Sequence, residues 1–346
     1  FGIEDTIAFF NHHQVPTKVE RGNRVFPHSD RAQDVHTLLC KELKRKNVSL
    51  FTRCHILGFL RNDHSLSAIR LTDAEVRAKA FIMATGGLSY PETGSTGDGF
   101  EWARQMGHTI IKPRPALTPV IVEEKWIGRV QGLSLKNVAI AVFQHNKKQD
   151  ERFGEALFTG NGMSGPVILD MSKKIVELLE KGQVKLVIDF KPALDFTRLE
   201  QRLLRDFRES GNKAIKNILA GLLPKSLVPV FLFLWEMEPE KRGHSISRVE
   251  RNKLIQLLKH FPLTVKDVVG FNKAIITAGG VALNEVDPRS MRSKIVDNLF
   301  FAGEILDLDG PTGGYNLQVC WSTGYLAGES AARYALQKQD KIPDGI

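Results

Sequence analysis

Apolar residues recur at helical spacing near the start of the chain and then give way to short alternating runs. A helix is predicted where one face collects Ala32, Val35, Leu38, Leu39 and Leu43. Strands are predicted at 48–52, 55–60 and 66–71, and the apolar segment 80–84 is typical of a buried strand. Residues 1–112 therefore predict an α/β region with a small antiparallel meander.

A group of prolines, Pro113, Pro115 and Pro119, marks a change in this pattern. The segment 113–193 that follows carries strand signals, and the segment 194–265 carries helical ones. We therefore expect an inserted domain at 113–274, with a β-rich first part and a helical second part.

The α/β pattern returns after the insert. Strands are predicted at 274–277 and 299–302, and a final helix runs from 315 to 336. We expect residues 1–112 and 275–346 to form one discontinuous domain.

Composition excludes several classes of protein. With 42% hydrophobic residues among 346, the chain is not predicted to be disordered, and its longest apolar run, 227–235, is too short to span a bilayer. Cys40, Cys54 and Cys320 form no Cys-x-x-Cys pair, and the histidines are scattered, so no metal site is predicted. A reducing, cytoplasmic setting is expected. The net charge of +9 favours either phosphate-bearing ligands or simple solubility.

Two glycine-bearing turns precede the insert. The strand at 80–84 runs into Thr85, Gly86 and Gly87, and glycine lets the backbone approach a ligand at the carboxyl end of a strand. The small residues of 94–99 precede a predicted helix at 100–107, where free N–H groups favour an anion. The alternative is that Thr96 or Asp98 serves only as the helix N-cap.

A third turn follows the last predicted strand, which ends at Gly303 and Glu304. A carboxylate in this position can accept hydrogen bonds from sugar or ribitol hydroxyls. The long helix that opens after Gly313 and Gly314 would place its positive end where a reduced flavin ring gathers negative charge. Close packing beneath a ring system is predicted for the small residues Ser322, Gly324, Ala327, Gly328, Ala331 and Ala332.

These motifs, in this order along the chain, closely resemble the BaiN-like flavoproteins, a family that includes an aminoacetone oxidase. The resemblance is carried by residues 85–91, 94–99, 279–281, 291–294, 301–304 and 313–318. It implies an α/β fold in which a Rossmann-like FAD-binding domain is interrupted by a β-barrel and helical insert. It also implies FAD as cofactor and NAD(P)H as electron donor.

The resemblance further implies which residues contact the cofactor, although it names no catalytic residue. The implied flavin contacts are Thr85, Gly86, Gly87, Gly303, Glu304, Gly313, Gly314, Tyr315, Asn316, Leu317 and Gln318. Tyr315 and Asn316, which open the helix, are the candidates for touching the ring. The chain departs from the family at Gly160, where relatives often carry a histidine.

A second departure concerns the start of the chain. The family begins with a Gly-x-Gly-x-x-Gly turn that binds the FAD pyrophosphate, and this sequence opens instead at Phe1 without that motif. We therefore expect a fragment that lacks the first βαβ unit and that by itself binds FAD weakly and is inactive.

The resulting hypothesis is an FAD-dependent oxidoreductase that transfers a hydride between NAD(P)H and a small organic substrate. The alternative is a flavin-binding or RNA-associated protein without redox turnover. The basic run 241–253 is either a solvated helical face or a phosphate-binding surface. Cys320 is either a packing residue or a thiol redox partner, and the oligomeric state stays open.

Overall fold

The computed structural model describes residues 1–20, 22–45 and 48–337. Two compact units make up the chain: unit 1 comprises 1–114 and 276–346, and unit 2 comprises 115–275. The helices are α1 (Ile3–His12), α2 (Ala32–Arg45), α3 (Asp98–Gln105), α4 (Pro166–Leu179), α5 (Phe196–Glu209), α6 (Ile215–Leu219), α7 (Val228–Trp235), α8 (Arg248–Lys259) and α9 (Tyr315–Gln337). None of the helices in the described part combines the length and apolar character needed to span a bilayer.

The strands are short, and most belong to antiparallel pairs. They are β1 (Thr17–Glu20), β2 (Arg24–Pro27), β3 (Ile56–Asn62), β4 (Ser65–Leu71), β5 (Glu75–Arg77), β6 (Phe81–Met83), β7 (Ile110–Ala116), β8 (Val120–Val122), β9 (Ser134–Gln144), β10 (Lys147–Phe158), β11 (Gly162–Ser164), β12 (Val184–Asp189), β13 (Phe261–Val268), β14 (Ile276–Val281), β15 (Val286–Asp287), β16 (Arg292–Ser293) and β17 (Leu299–Phe301). The meander predicted for the first region is the sheet β3-β4-β5.

Unit 2 is built around a closed barrel with the strand order β10-β11-β8-β13-β12-β9. Alternate apolar residues of β9 fill its core, because Val138, Ile140 and Val142 are all buried. Helices α5 to α8 lie between β12 and β13 in the chain. Asp195 caps α5 by accepting the backbone N–H of Arg198, and a capping box starts α8.

Unit 1 contains a sheet with the order β15-β16-β17-β6, in which β17 and β6 run parallel. The 23-residue helix α9 packs on this sheet through Ala327 and Ala331, which are buried with the apolar residues of β17. Parallel strands place their carboxyl ends at one edge, and this edge positions the candidate site.

Three expectations for unit 1 are wrong. Residues 48–52 form no strand, and the pairing starts only at β3. The strand at 80–84 shortens to β6, where Phe81 and Met83 are buried on one face of the sheet and Ile82, on the other face, is 46% exposed. The small residues of α9 do not form one packed stripe, since a Cβ at Gly324 or Gly328 would meet no atom within 4 Å.

A buried histidine links two segments of unit 1. His108 lies with Nδ1 3.2 Å from Glu285 Oε2 and Nε2 2.9 Å from Ser293 Oγ. Ser293 Oγ also accepts the N–H groups of Ile295 and Val296, so its own hydroxyl proton is directed to the imidazole. Burial lowers the pKa of His108, and the hydrogen bond to Glu285 opposes this shift only in part. The neutral imidazole is therefore the form that fits.

We expect this histidine to make unit 1 sensitive to acid. A folded-state pKa below the ordinary value means that stability is present above the unfolded-state pKa and is lost as the pH falls through the folded-state pKa. His108→Asn should lower the melting temperature at pH 7.5 but flatten its decline between pH 7.5 and 5. Calorimetry at several pH values checks this, and an unchanged slope in the variant would contradict it.

Candidate functional site

Two glycine turns lie side by side at the carboxyl edge of the parallel strands. Met83 at the end of β6 is paired with Phe301 at the end of β17. The chain then passes Gly86 after β6 and Gly303 after β17, and both glycines have positive φ angles, +72° and +75°. Only glycine adopts this backbone readily, so both turns depend on it.

Glu304 lies against the first of these turns. Its Oε1 accepts the backbone N–H of Thr277 at 2.7 Å. A Cβ built on Gly87 would lie 2.8 Å from the same oxygen and 2.4 Å from Thr277 Oγ1. Gly87 is therefore needed for the close approach of the 85–87 turn to the carboxylate.

Thr277, in β14, is the central residue of this cluster, and the sequence analysis treated it only as part of a strand. Its hydroxyl oxygen accepts the N–H groups of Leu88 at 2.8 Å and Ser89 at 3.1 Å. With two donors bound, the hydroxyl keeps its own proton to donate, and the Thr277 side chain also hydrogen-bonds Glu304. The signal that could have found it is a threonine at the end of an apolar strand segment, two residues before the glycine pair 279–280.

Burial sets the charge state of this cluster. It raises the pKa of the Glu304 carboxyl, although the hydrogen bonds from Thr277 act in the opposite direction. Burial also raises the pKa of the Cys320 thiol, and the nearby Glu304 charge adds to this. The thiol is thus held in its protonated form, which favours packing over redox chemistry for Cys320.

Helix α9 reaches the second glycine turn through its second and third helical turns. The Gly303 N–H donates to Thr323 Oγ1 at 2.9 Å. A Cβ on Gly303 would lie 3.5 Å from Cys320 Sγ. These contacts fix Gly303, and with it the backbone that carries Glu304, against the helix.

The 94–99 segment packs against the first turn. A Cβ on Gly99 would lie 1.9 Å from Thr85 Oγ1, and one on Gly86 would lie 3.2 Å from Ser95 Oγ. The expectation that Thr96 or Asp98 caps the helix is wrong, because α3 begins after Gly97, whose φ is +84°. Thr96 instead donates its hydroxyl to Asp98 at 2.7 Å.

The predicted contacts at the start of α9 have their own local roles. The Asn316 side chain bonds both the N–H and the carbonyl of Gly310, at 2.8 and 2.9 Å, and so closes the 310–316 loop. The Gln318 amide donates to Ser322 and accepts from Thr6. Tyr315 and Leu317 are 60% and 63% exposed. Asn316 and Gln318 therefore hold the turn in shape, while Tyr315 and Leu317 are available for contact.

The sequence-predicted residues thus fall into two groups. Gly87 and Glu304 meet at Thr277, and Thr85, Gly86 and Gly303 are their neighbours in the same two turns. Residues 313–318 form the turn that starts α9, and they connect to the cluster through Cys320 and Thr323 of the same helix.

The arrangement fits a bound dinucleotide. The first N–H groups of a helix have no intrahelical partner, and α9 begins beside Gly313 and Gly314, with φ angles of +127° and +94°. A Cβ on Gly314 would meet no atom within 4 Å, so this turn presents open backbone. A half-buried carboxyl can accept hydrogen bonds from the hydroxyl groups of a nucleotide, and the N–H groups at a helix start can donate to its anionic groups.

The other candidate centres give no comparable cluster. Across residues 1–20, 22–45 and 48–337, no group of three or more His, Cys, Asp or Glu side chains is placed to hold a metal ion. In the basic run 241–253, Lys241, Arg251 and Lys253 each pair with a glutamate, at 2.5, 3.2 and 2.6 Å. These pairs favour the interpretation of the run as a solvated face.

Parallel strands that end in glycine turns, with a carboxylate on one turn and a long helix behind it, define the Rossmann class of nucleotide-binding proteins. Residues 1–330 match the family described as HI0933-like protein Rossmann domain, and the chain belongs to this family. This match confirms the predicted fold class and the resemblance to the BaiN-like flavoproteins.

Curated relatives match nearly the whole chain. The chain is 32% identical over 333 residues to the 3-dehydro-bile acid delta(4,6)-reductase of Clostridium scindens, covering 96% of this chain and 81% of that protein. It is 28% identical over 332 residues to the ribosomal RNA dihydrouridine synthase of Escherichia coli, covering 94% and 78%. The synthase of the same name from Haemophilus influenzae is 29% identical over 309 residues, covering 87% and 73%.

Solved structures give a weaker likeness. The Mycobacterium smegmatis Sdh1 complex in the apo form is 16% identical with a TM-score of 0.42, and the alignment covers 98% of this chain and 54% of that one. The chain spans about half the length of the solved structures that it matches. At this level of similarity, we base no functional argument on them.

Proposed function

We propose that the chain is the core of a flavin-dependent oxidoreductase and that its flavin is FAD, contacted by the cluster around Thr277 and by the turn at 313–318. The observation that carries the proposal is the contact of Glu304 with Thr277 and Gly87 at the carboxyl ends of β6 and β17. Membership of the HI0933-like family supports the class.

The residues of this chain would bind and orient the cofactor. When bound, FAD supplies the hydride chemistry. Glu304, held by Thr277, accepts a hydroxyl hydrogen bond from the nucleotide. The N–H groups at the start of α9 stabilise negative charge. Thr323 holds Gly303 in its positive-φ turn, so the carboxyl keeps its position.

The names of the relatives suggest a substrate class. A delta(4,6)-reductase of a 3-dehydro-bile acid reduces carbon–carbon double bonds of an oxo-steroid, and a dihydrouridine synthase reduces the double bond of a uracil ring. Both reactions add hydrogen across a double bond conjugated to a carbonyl. We extend this chemistry to the present chain, with NAD(P)H as donor and a small organic enone as the favoured acceptor.

A second candidate substrate is RNA, and the distribution of charge favours it. Unit 2 carries 26 Lys and Arg against 18 Asp and Glu, a net charge of +8, whereas unit 1 carries 22 against 21, a net charge of +1. A strongly basic unit attracts polyanions, with an affinity that falls steeply as salt is added.

Anaerobic spectroscopy on the purified protein tests the proposal. We expect FAD to bind, NADH or NADPH to bleach it, and a 3-oxo-4,6-diene steroid to restore the oxidised spectrum. Reoxidation by a ribosomal RNA transcript instead, abolished at high salt, would select RNA as the substrate. Bound flavin that neither nicotinamide bleaches would indicate binding without turnover, and a protein that takes up no flavin would contradict the proposal.

A further inference from the structure

Helix α7 in unit 2 is apolar on every side, yet only part of it is covered. Its sequence from Val228 to Trp235 contains no charged or hydrogen-bonding side chain other than the Trp235 indole. Phe231 and Trp235 are buried, whereas Phe233 is 68% exposed. Pro229, one helical turn before Phe233, is also exposed and lies on the same face. An all-apolar helix normally lies in a core, so this open face lacks a covering partner within the described part of unit 2.

The open face forms the floor of a groove of about 810 Å³. The groove is lined by α7, by Ala220 after α6, and by Met237 and Pro239 beyond the end of α7. Concave apolar surface of this kind, with an aromatic side chain standing in it, is typical of a protein interface.

The charges on the rim of the groove are separated along the helix axis. Lys225 lies just before the start of α7, and Glu236 and Glu238 lie just after its end. Glu236 pairs with Lys253, whereas Lys225 and Glu238 form no salt bridge within residues 1–20, 22–45 and 48–337. The eight residues of α7, a helix about 12 Å long, lie between Lys225 and Glu238 in the chain.

This pattern is complementary to itself. A two-fold axis midway between Pro229 and Phe233 would pack two α7 helices antiparallel, so that Phe233 of each copy lies over Pro229 of the other and Lys225 of one copy comes opposite the Glu238 end of the other, twice. The rim is also electrically balanced within a unit whose net charge is +8. That balance favours a second copy of the chain over a polyanion or a basic peptide as the occupant.

We propose that the α7 groove is the interface of a symmetric homodimer, with Phe233 as the central anchor and two reciprocal Lys225–Glu238 pairs at the rim. The dimer requires no rearrangement of unit 2, because the groove is already open. The proposal concerns assembly only and does not depend on the proposed flavin chemistry.

Sedimentation equilibrium over a range of protein concentrations tests the proposal. We expect a dimer, and Phe233→Glu should raise its dissociation constant by about 30-fold or more, since a central aromatic anchor is lost. Phe153→Glu is the matched control, because Phe153 is also in unit 2 and is 65% exposed but lies outside the groove. It should leave the dimer intact.

Charge reversal adds a second test that does not depend on the anchor. Lys225→Glu and Glu238→Lys should each weaken the dimer several-fold, and the double variant should restore it, because the pairs reform with opposite polarity. A chain that stays monomeric at about 100 micromolar would overturn the proposal. A dimer whose dissociation constant is unchanged by Phe233→Glu would overturn it as well. So would a double charge variant whose dimer is as weak as the two single effects added together.

Discussion

Replacement of Gly162 by alanine is expected to lower the free energy of unfolding of unit 2 by about 3 kcal/mol or more. A Cβ at this position would lie 1.9 Å from the backbone carbonyl oxygen of Val120 and 2.9 Å from the Cα of Ile121. Because backbone atoms cannot turn away as a side chain does, the clash can be relieved only by separating two strands. Gly162 belongs to β11, which joins β10 to β8 and thereby closes the barrel.

Urea denaturation followed by circular dichroism measures this effect. Gly221→Ala is the matched control, because it lies in the same unit and its added Cβ would meet only the Ile218 carbonyl at 3.4 Å, an ordinary contact. We expect the control to stay within about 0.5 kcal/mol of the parent. Equal effects of the two substitutions would show that the loss comes from glycine replacement in general and not from closure of the barrel.

The barrel around Gly162 also shows which features of the fold can be predicted from the sequence and which cannot. The strand signals over 113–193 are visible in the residues, and with them the strand-rich character of the first part of the insert. Barrel closure is not visible, since it depends on β8 pairing with both β11 and β13, more than 40 and 140 residues away. Local periodicity carries no information about such distant partners, which is why the β-barrel could be expected only through the family resemblance.

The residues of the candidate site also divide into those that the sequence predicts and those that it does not. Gly86, Gly303 and Glu304 were predicted correctly to lie at strand ends, because a glycine or a carboxylate after an apolar run is a local signal. Thr277 was missed because its role comes from three segments that meet only in the folded chain. Asn316 stays a predicted ligand contact, and its second role, the hydrogen bonds of its side chain to the Gly310 backbone, was not visible in the sequence. Sequence position alone does not show whether a side chain contacts a ligand, stabilises a loop by hydrogen bonds, or does both.

Glu304→Gln is expected to weaken FAD binding by about 10-fold to 100-fold, since a hydrogen bond to a charged group contributes roughly 1.5–3 kcal/mol. Glutamine keeps the size of the side chain and an oxygen that can accept the Thr277 N–H, so the local fold should persist. Fluorescence titration of FAD into the purified protein measures the loss. Asp307→Asn is the control, because Asp307 is a half-buried carboxylate three residues away that no contact places in the site.

The same substitution should stabilise the protein in the absence of FAD, and the two effects together identify the role of Glu304. Burial raises its pKa in the folded state, so stability is fully present below the unfolded-state pKa and is lost as the pH rises through the folded-state pKa. Glu304→Gln removes this loss, and the melting temperature of the apoprotein should exceed that of the parent at pH 8 and approach it near pH 4.

Replacing a residue kept only for packing would weaken both stability and binding. A half-buried carboxylate kept for a ligand costs stability until the ligand binds, so opposite signs for the two measurements are the result that requires a binding role. If Glu304→Gln lowers the melting temperature at pH 8 as well, Glu304 is a structural residue and the nucleotide site must lie elsewhere.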